Sequence, residues 1–310
     1  MKQLNVFVIL IAVLFLFGCA GGNAVKKKPG HLISGMKEIQ KGATWYQKGC
    51  YHRSLEHFLR AHELFVVSDQ LDGVAMSMNN IGNIYRIMKD LDNALLFFEE
   101  SIDIYQNIKN YKGLVQTLSN KAAVLIDGNK LEEAVNVLKS AEDIAQKNSI
   151  PTTNILNNWG ILFIRQKEYS RAEKILNTAL ANADPKNYSE YATVNFALGN
   201  LMCETGHPDK AVYFFKTALK TDRLSGFHKG IADDLGAIGD VNFSQDKYES
   251  AVNYFKRSIK IYALIQNRSK VFEIMKKLDI ASEKSGQEIS VTKHFINKWL
   301  EGKDFENPCK

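Results

Sequence analysis

The sequence predicts an all-α protein: a right-handed α-solenoid of about six helical hairpins, in units of about 40 residues, finished by C-terminal capping helices. Three observations predict it. Small residues recur at a near-constant period, at Ser54, Ala94, Ala134, Ala172, Ala211 and Ala251, with spacings of 40, 40, 38, 39 and 40. A large apolar residue follows each by four (Phe58, Phe98, Leu138, Leu176, Phe215, Phe255) and a second small one by seven (Ala61, Ser101, Ala141, Ala179, Ala218, Ser258). Twelve residues ahead of each first small residue stands another, at Gly42, Gly82, Ala122, Gly160, Gly199 and Gly239. Offsets of three, four and seven lie on one helix face. Small residues there admit a neighbouring helix closely, and the large one fills the gap.

The elements follow in order. The apolar run Leu4 to Phe17 holds 14 residues, short of the roughly 20 that a spanning helix needs. With Lys2 ahead of it, it reads as a signal peptide over residues 1–18. Leu16-Phe17-Gly18-Cys19 resembles a bacterial lipobox. That resemblance implies diacylglycerol on the Cys19 sulfur, cleavage between Gly18 and Cys19, and a further acyl chain on the new amino group; two or three chains anchor a protein stably. Ala20 is not the Asp that holds lipoproteins at the inner membrane of two-membrane cells, so the sorting rule implies the outer membrane, facing the periplasm. Residues 19–34, with Lys26-Lys27-Lys28 inside, read as a flexible linker.

The six hairpins occupy residues 35–265. The first is the weakest, because Glu38 and Lys41 stand at apolar positions; Lys121 and Asn195 are similar departures. Leading helices show in Met78-x-x-Ile81-Gly82-x-x-Tyr85, Leu156-x-x-Trp159-Gly160-x-x-Phe163 and Leu235-x-x-Ile238-Gly239-x-x-Asn242. Internal turns show in Lys89-Asp90-Leu91-Asp92, Asp127-Gly128-Asn129-Lys130 and Gly206-His207-Pro208-Asp209, where Gly stops one helix and Pro suits the first turn of the next. Residues 266–300 are the capping helices, one with a stripe of Phe272, Met275, Leu278 and Ile280, one carrying Phe295 and Trp299; residues 301–310 are a tail.

Gly82, Tyr85, Ala94, Phe98 and Ser101 reproduce the small-and-large signature of the tetratricopeptide repeat, which the chain resembles from about Gly35 to Ile265. The resemblance implies protein or peptide binding on a concave face lined by the first helix of each hairpin. Carried over residue by residue, it places Asn79, Asn80, Asn83, Asn120, Asn157, Asn158 and Asn200 there, with Arg86, Ile87, Arg165, Phe196 and Phe243 available to read side chains. Asn80, Asn120 and Asn158 take the same place in three successive units, and an amide that both donates and accepts suits an extended backbone. The alternative use of these amides is in contacts between helices. The basic carboxylate clamp of some relatives is not assembled, since Asn79, Ser119 and Asn157 replace its lysine.

Chemistry of other kinds is not indicated. There is no Gly-rich phosphate loop and no nucleophile elbow, His62-Glu63-Leu64 lacks the second zinc-helix histidine, and His52, His57 and His62 do not converge. Glu99-Glu100, Glu132-Glu133 and Asp233-Asp234 read as solvated helix faces. No catalytic residue, metal or cofactor is therefore expected. A net charge of +6 is too mild to indicate nucleic acid. Cys50, Cys203 and Cys309 show no metal or framework spacing and read as free thiols, with Cys309 open to pairing between molecules. The expected function is a membrane-anchored scaffold in the cell envelope; the other class is an assembly component acting by self-association, such as a secretin or pilus assembly factor or a cell-wall hydrolase adaptor.

Overall fold

The computed structural model describes residues 30–301 and Cys309. The signal segment, Cys19 and nearly all of the expected linker and tail lie outside the described residues. The described chain is helical throughout: α1 Gly30–Gln47, α2 Tyr51–Val66, α3 Leu71–Ile87, α4 Leu91–Asn107, α5 Tyr111–Asp127, α6 Leu131–Lys147, α7 Thr153–Arg165, α8 Tyr169–Asn182, α9 Tyr188–Glu204, α10 Pro208–Ser225, α11 His228–Ser244, α12 Tyr248–Leu264, α13 Arg268–Ser285 and α14 Ser290–Glu301. The first helix begins at Gly30, inside the stretch read as linker. Among the described residues no helix is long and apolar enough to cross a membrane.

The hairpins close because each leading glycine admits a large side chain from its own second helix, a ring in all but the fourth hairpin, where Gly160 admits Leu176. A Cβ on Gly42 would lie 2.5 Å from Phe58 Cε1, one on Gly82 2.8 Å from Phe98 Cε1, and one on Gly199 2.5 Å from Phe215 Cε1. Those rings are fully buried, as are the flanking small residues Ala61, Ala94, Ala211 and Ala218. Where serine takes the small position it bonds a backbone carbonyl across the interface: Ser54 Oγ donates to Gly42 O at 2.8 Å and Ser101 Oγ to Ala75 O at 2.9 Å. First helices of successive hairpins, from α1 to α9, also touch one another, forming the inner layer.

The turns follow one scheme. After α3, Lys89 takes φ +65°, its N–H bonds Arg86 O at 3.1 Å, and Asp90 N–H bonds Tyr85 O at 3.0 Å. This is the Schellman arrangement, which satisfies the last carbonyls of a helix. The same Asp90 then caps α4 by accepting from Asn93 N–H at 3.3 Å. Asn110 likewise closes α5, accepting from Gly113 N–H at 3.0 Å. One residue thus ends one helix and begins the next, which keeps these connections to three residues.

One expectation is corrected at the C-terminal end. The buried face of α13 is Val271, Ile274, Leu278 and Ala281, while Phe272 and Ile280 are exposed, so the stripe is out of phase with the one expected. The last helix does not extend the stack but folds back on α12, where Ile289 and Ile296 join the cluster around Phe255 and Ile259. Gln266 Nε2 fastens it by donating to Trp299 O at 2.8 Å.

The superhelix also meets itself. Tyr46, at the end of α1, stacks on Phe227 with ring centroids 5.8 Å apart and planes within 2°. His228 Nδ1 lies 3.2 Å from Lys48 O, and a Cβ on Gly49 would lie 2.9 Å from Ile265 Cγ2. Cys50 is disulfide-bonded to Cys309, a sequence separation of 259. Neither cysteine is therefore a free thiol: the superhelical turn returns the end of the chain to its first hairpin, a proximity that no local spacing encodes. Cys203 alone among the described cysteines is free, and it is exposed.

Candidate functional site

Where the first hairpin faces the fifth and sixth, the turn encloses a cavity of about 800 Å³. Its walls come from the α1–α2 turn, the end of α3, one face of α9, the start of α11 and the α12–α13 turn. That volume falls within the roughly 300–1,000 Å³ usual for ligand sites. Thr193 on α9 is an exposed member of the wall, beside Ala192 and the half-buried Phe196.

The wall is strongly polarised. Toward the α3 end, Arg86 Nε pairs with Asp127 Oδ2 at 3.0 Å, with Lys89 Nζ at 3.9 Å from the same oxygen. Arg53 lies over the Trp45 ring at 4.7 Å. On the α10–α11 side three carboxyls gather: Asp222, Asp233 and Asp234. Asp233 is neutralised, accepting from Lys229 Nζ and from the Tyr262 hydroxyl. Burial alone would lower the Lys229 pKa, but the Asp233 carboxylate outweighs it and holds the ammonium above its ordinary value.

The other two acids have no such partner. Asp222 is 5% exposed and Asp234 1%, and Asp234 Oδ2 has no hydrogen-bond partner. Burial, reinforced by the neighbouring carboxylates, pushes Asp222 up to about 7 and Asp234 up to about 9. The buried hydroxyl of Tyr51, which lines the same cavity, is also unpartnered, and burial pushes its pKa up. The reading of Asp233-Asp234 as a solvated face is thereby corrected for Asp234, whereas Glu99, Glu100, Glu132 and Glu133 are exposed as expected.

The residues expected on the concave face are placed in different ways. Arg86, Ile87 and Phe196 line the cavity. The asparagines are drawn largely into bonds within and between first helices: Asn120 Nδ2 donates to Asn79 Oδ1 at 2.9 Å, and Asn158 Nδ2 to Ser119 O at 2.8 Å. Asn83 Nδ2 donates to Asn79 O at 3.0 Å, within α3. Asn80 and Asn200 are half-buried, Asn157 is buried with its Oδ1 unpartnered, and Arg165 is exposed. Phe243 packs on Tyr248 and Phe255, at 5.6 and 6.2 Å between centroids. His57 bonds Glu38 at 2.6 Å and His62 bonds Ser77 at 3.1 Å, each on its own.

Asp222 and Asp234 were missed, yet the repeat register carried a signal. The position eleven after the first small residue is Phe65, Tyr105, Ala145, Ala183, Asp222 and Tyr262, buried in every unit. The position five before the leading small residue is Ser77, Thr117, Ile155, Val194 and Asp234 in units two to six, again always buried. Two acids therefore occupy interior registers of adjoining helices.

Comparison with known proteins agrees with this architecture. A tetratricopeptide repeat family model matches residues 37–107, 73–147 and 151–224, and a second tetratricopeptide repeat model matches residues 235–263. No curated protein matches the chain. Among solved structures, the chain is similar to a Rap protein complexed with competence and sporulation factor, with 16% identity, a TM-score of 0.59, and 86% of this chain and 80% of that one covered. It is also similar to the Rap conjugation gene regulator of the plasmid pLS20 in complex with the Phr* peptide, with 15% identity, a TM-score of 0.58, and 97% and 86% covered. The apo form of RapI is a third, with 14% identity, a TM-score of 0.51, and 82% and 99% covered. These likenesses show the shared solenoid fold, and the family matches span well over half the sequence: the chain belongs to the tetratricopeptide repeat family.

Proposed function

We propose that this chain is a lipid-anchored adaptor that holds a short peptide, or an extended segment of a protein partner, inside its superhelical turn. The observation that carries the reading is the cavity of about 800 Å³ between the first hairpin and the last two, built from first-helix faces and polar at both ends. Two similar folds are complexes, one with competence and sporulation factor and one with the Phr* peptide, which supports a peptide-binding role for this fold. The Cys50–Cys309 disulfide supports an exported location, because such bonds persist in oxidising compartments. Anchoring rests on Cys19 and the lipobox-like Leu16-Phe17-Gly18-Cys19, and outer-membrane placement on Ala20.

Crosslinking in the native cell followed by mass spectrometry tests both halves. Thr193→Trp puts an indole into the cavity from an exposed position, and it should abolish the crosslinked partner while the chain stays in the membrane fraction. Cys19→Ala should release the chain from that fraction. A partner captured equally by Thr193→Trp would place binding elsewhere on the solenoid.

A further inference from the structure

The acidic side of the cavity is built at the expense of the core. In the first two units the interior position eleven after the small residue is a ring, Phe65 or Tyr105, which packs on the backbone of Gly73 or Gly113 in the following helix. In the fifth unit that slot holds Asp222 against Gly230, where a Cβ would lie 1.8 Å from Asp222 Oδ2. A carboxyl group is far smaller than an aromatic ring, so the substitution leaves space at the α10–α11 junction, and the cavity reaches that junction. The neighbouring interior register holds Asp234, 1% exposed, lining the same cavity with Oδ2 unpartnered. Burying a carboxyl without a partner is unfavourable in an empty protein, and no other unit places an acid at either register.

Among the described residues, the cations that act on Asp234 are Lys229 and Arg223, and Lys229 is bonded to Asp233. Arg223 on α10 is exposed, and Arg86 on α3 is bonded to Asp127. Tyr46, Tyr51 and Tyr262 complete the surroundings as neutral phenols. The hydrogens of a compact ammonium can be shared between Asp222 and Asp234, whereas a planar guanidinium needs a wider, coplanar fork.

We infer that the α10–α11 side of this cavity is an ammonium-binding subsite, with Asp222 and Asp234 receiving a primary amine of the ligand. The inference rests on the peptide-binding reading of the cavity and narrows it: the amine is either the free amino terminus of a peptide or a lysine side chain. Arg53, over the Trp45 ring and lining the same cavity, is then available to an anionic part of the same ligand.

The test uses the immobilised full-length protein and three pools of synthetic tetrapeptides: free amino termini without lysine, acetylated termini without lysine, and acetylated termini with one lysine. Retained peptides are read by mass spectrometry. Retention of an amine-bearing pool at least tenfold above the acetylated lysine-free pool is expected, and which of the two is held identifies the source of the amine. The Asp222→Asn, Asp234→Asn double variant should bring that pool down to the amine-free level while its circular dichroism stays helical. Equal retention of all three pools by the unaltered protein, or retention of none, overturns the inference whether or not the variant folds. The cellular crosslink and its loss in Thr193→Trp do not depend on an amine, so the broader reading can survive that outcome.

Discussion

At the residue scale, Asp222 and Asp234 define a cost that is visible in stability. Each has an ordinary carboxyl pKa near 3.8 in the unfolded chain and is raised by the fold, to about 7 and about 9. The folded state thus binds more protons, so stability falls as pH rises from about 4 through these raised values. The groups facing Asp234 are Asp222 and Arg223 from α10 and Lys229 and Asp233 from α11, and the balance among them is dominated by burial. Asp234→Asn removes the ionisation and keeps the shape. It should stabilise the free protein by about 1–3 kcal/mol at pH 8 and by nothing near pH 4, measured by urea unfolding at the two pH values. An equal effect at both would mean that Asp234 is not held neutral by the fold. Read one helix at a time, Asp234 looks like half of a surface Asp-Asp pair; only alignment of units two to six exposes its interior register. Gly82 is the contrary case, since its glycine identity and the Phe98 ring announce the close contact directly.

At the element scale, helix existence and hairpin pairing were legible because the 3.6-residue period and the small–large alternation act over neighbouring turns of one helix. The capping helix misled for a related reason. With Phe272, Met275, Leu278 and Ile280 all apolar, two overlapping stripes compete, and contact with α12 selects the one through Val271, Ile274 and Ala281. Turn chemistry supplies a further check. Lys109 holds φ +58° between α4 and α5, where glycine would sit without steric penalty. Lys109→Gly should therefore raise the midpoint of urea unfolding by the equivalent of about 0.5–1 kcal/mol, partly offset by the freer unfolded chain. Gly206→Ala, at φ +74° in the turn inside the fifth hairpin, should lower it by a similar amount. If both substitutions leave the midpoint unchanged, the left-handed geometry is not retained in solution.

At the scale of the whole molecule, stability in a stack is a sum of neighbour contacts, so the ends of an open solenoid fray first. Here the ends are not open. Tyr46 on Phe227, His228 beside Lys48 O and the Cys50–Cys309 bond tie the first hairpin to the last two. In the chain-entropy account, linking such distant positions is worth at most about 5 kcal/mol. Cys50→Ser should lower the thermal midpoint and speed amide exchange in α1, α2 and α14 more than in α5 to α8; uniform exchange in both forms would show that the closure does not restrain the ends. None of this was legible locally. The small rotation between successive hairpins is shared among many packing residues, so where the turn returns is a property of the sum, and with it the pairing of Cys50 with Cys309 and the meeting of Tyr46, Tyr51, Phe196 and Asp234 around one space.

The same sulfur bridge has a topological side. From Cys50 onward the backbone runs through α2 to α14 and returns to its starting point, so thirteen helices lie on a single covalent loop. A loop cut once becomes a line and loses nothing: a protease that severs one turn between α2 and α14 leaves those helices attached to one another. Two cuts, or one cut and a reductant, are needed before a piece can leave.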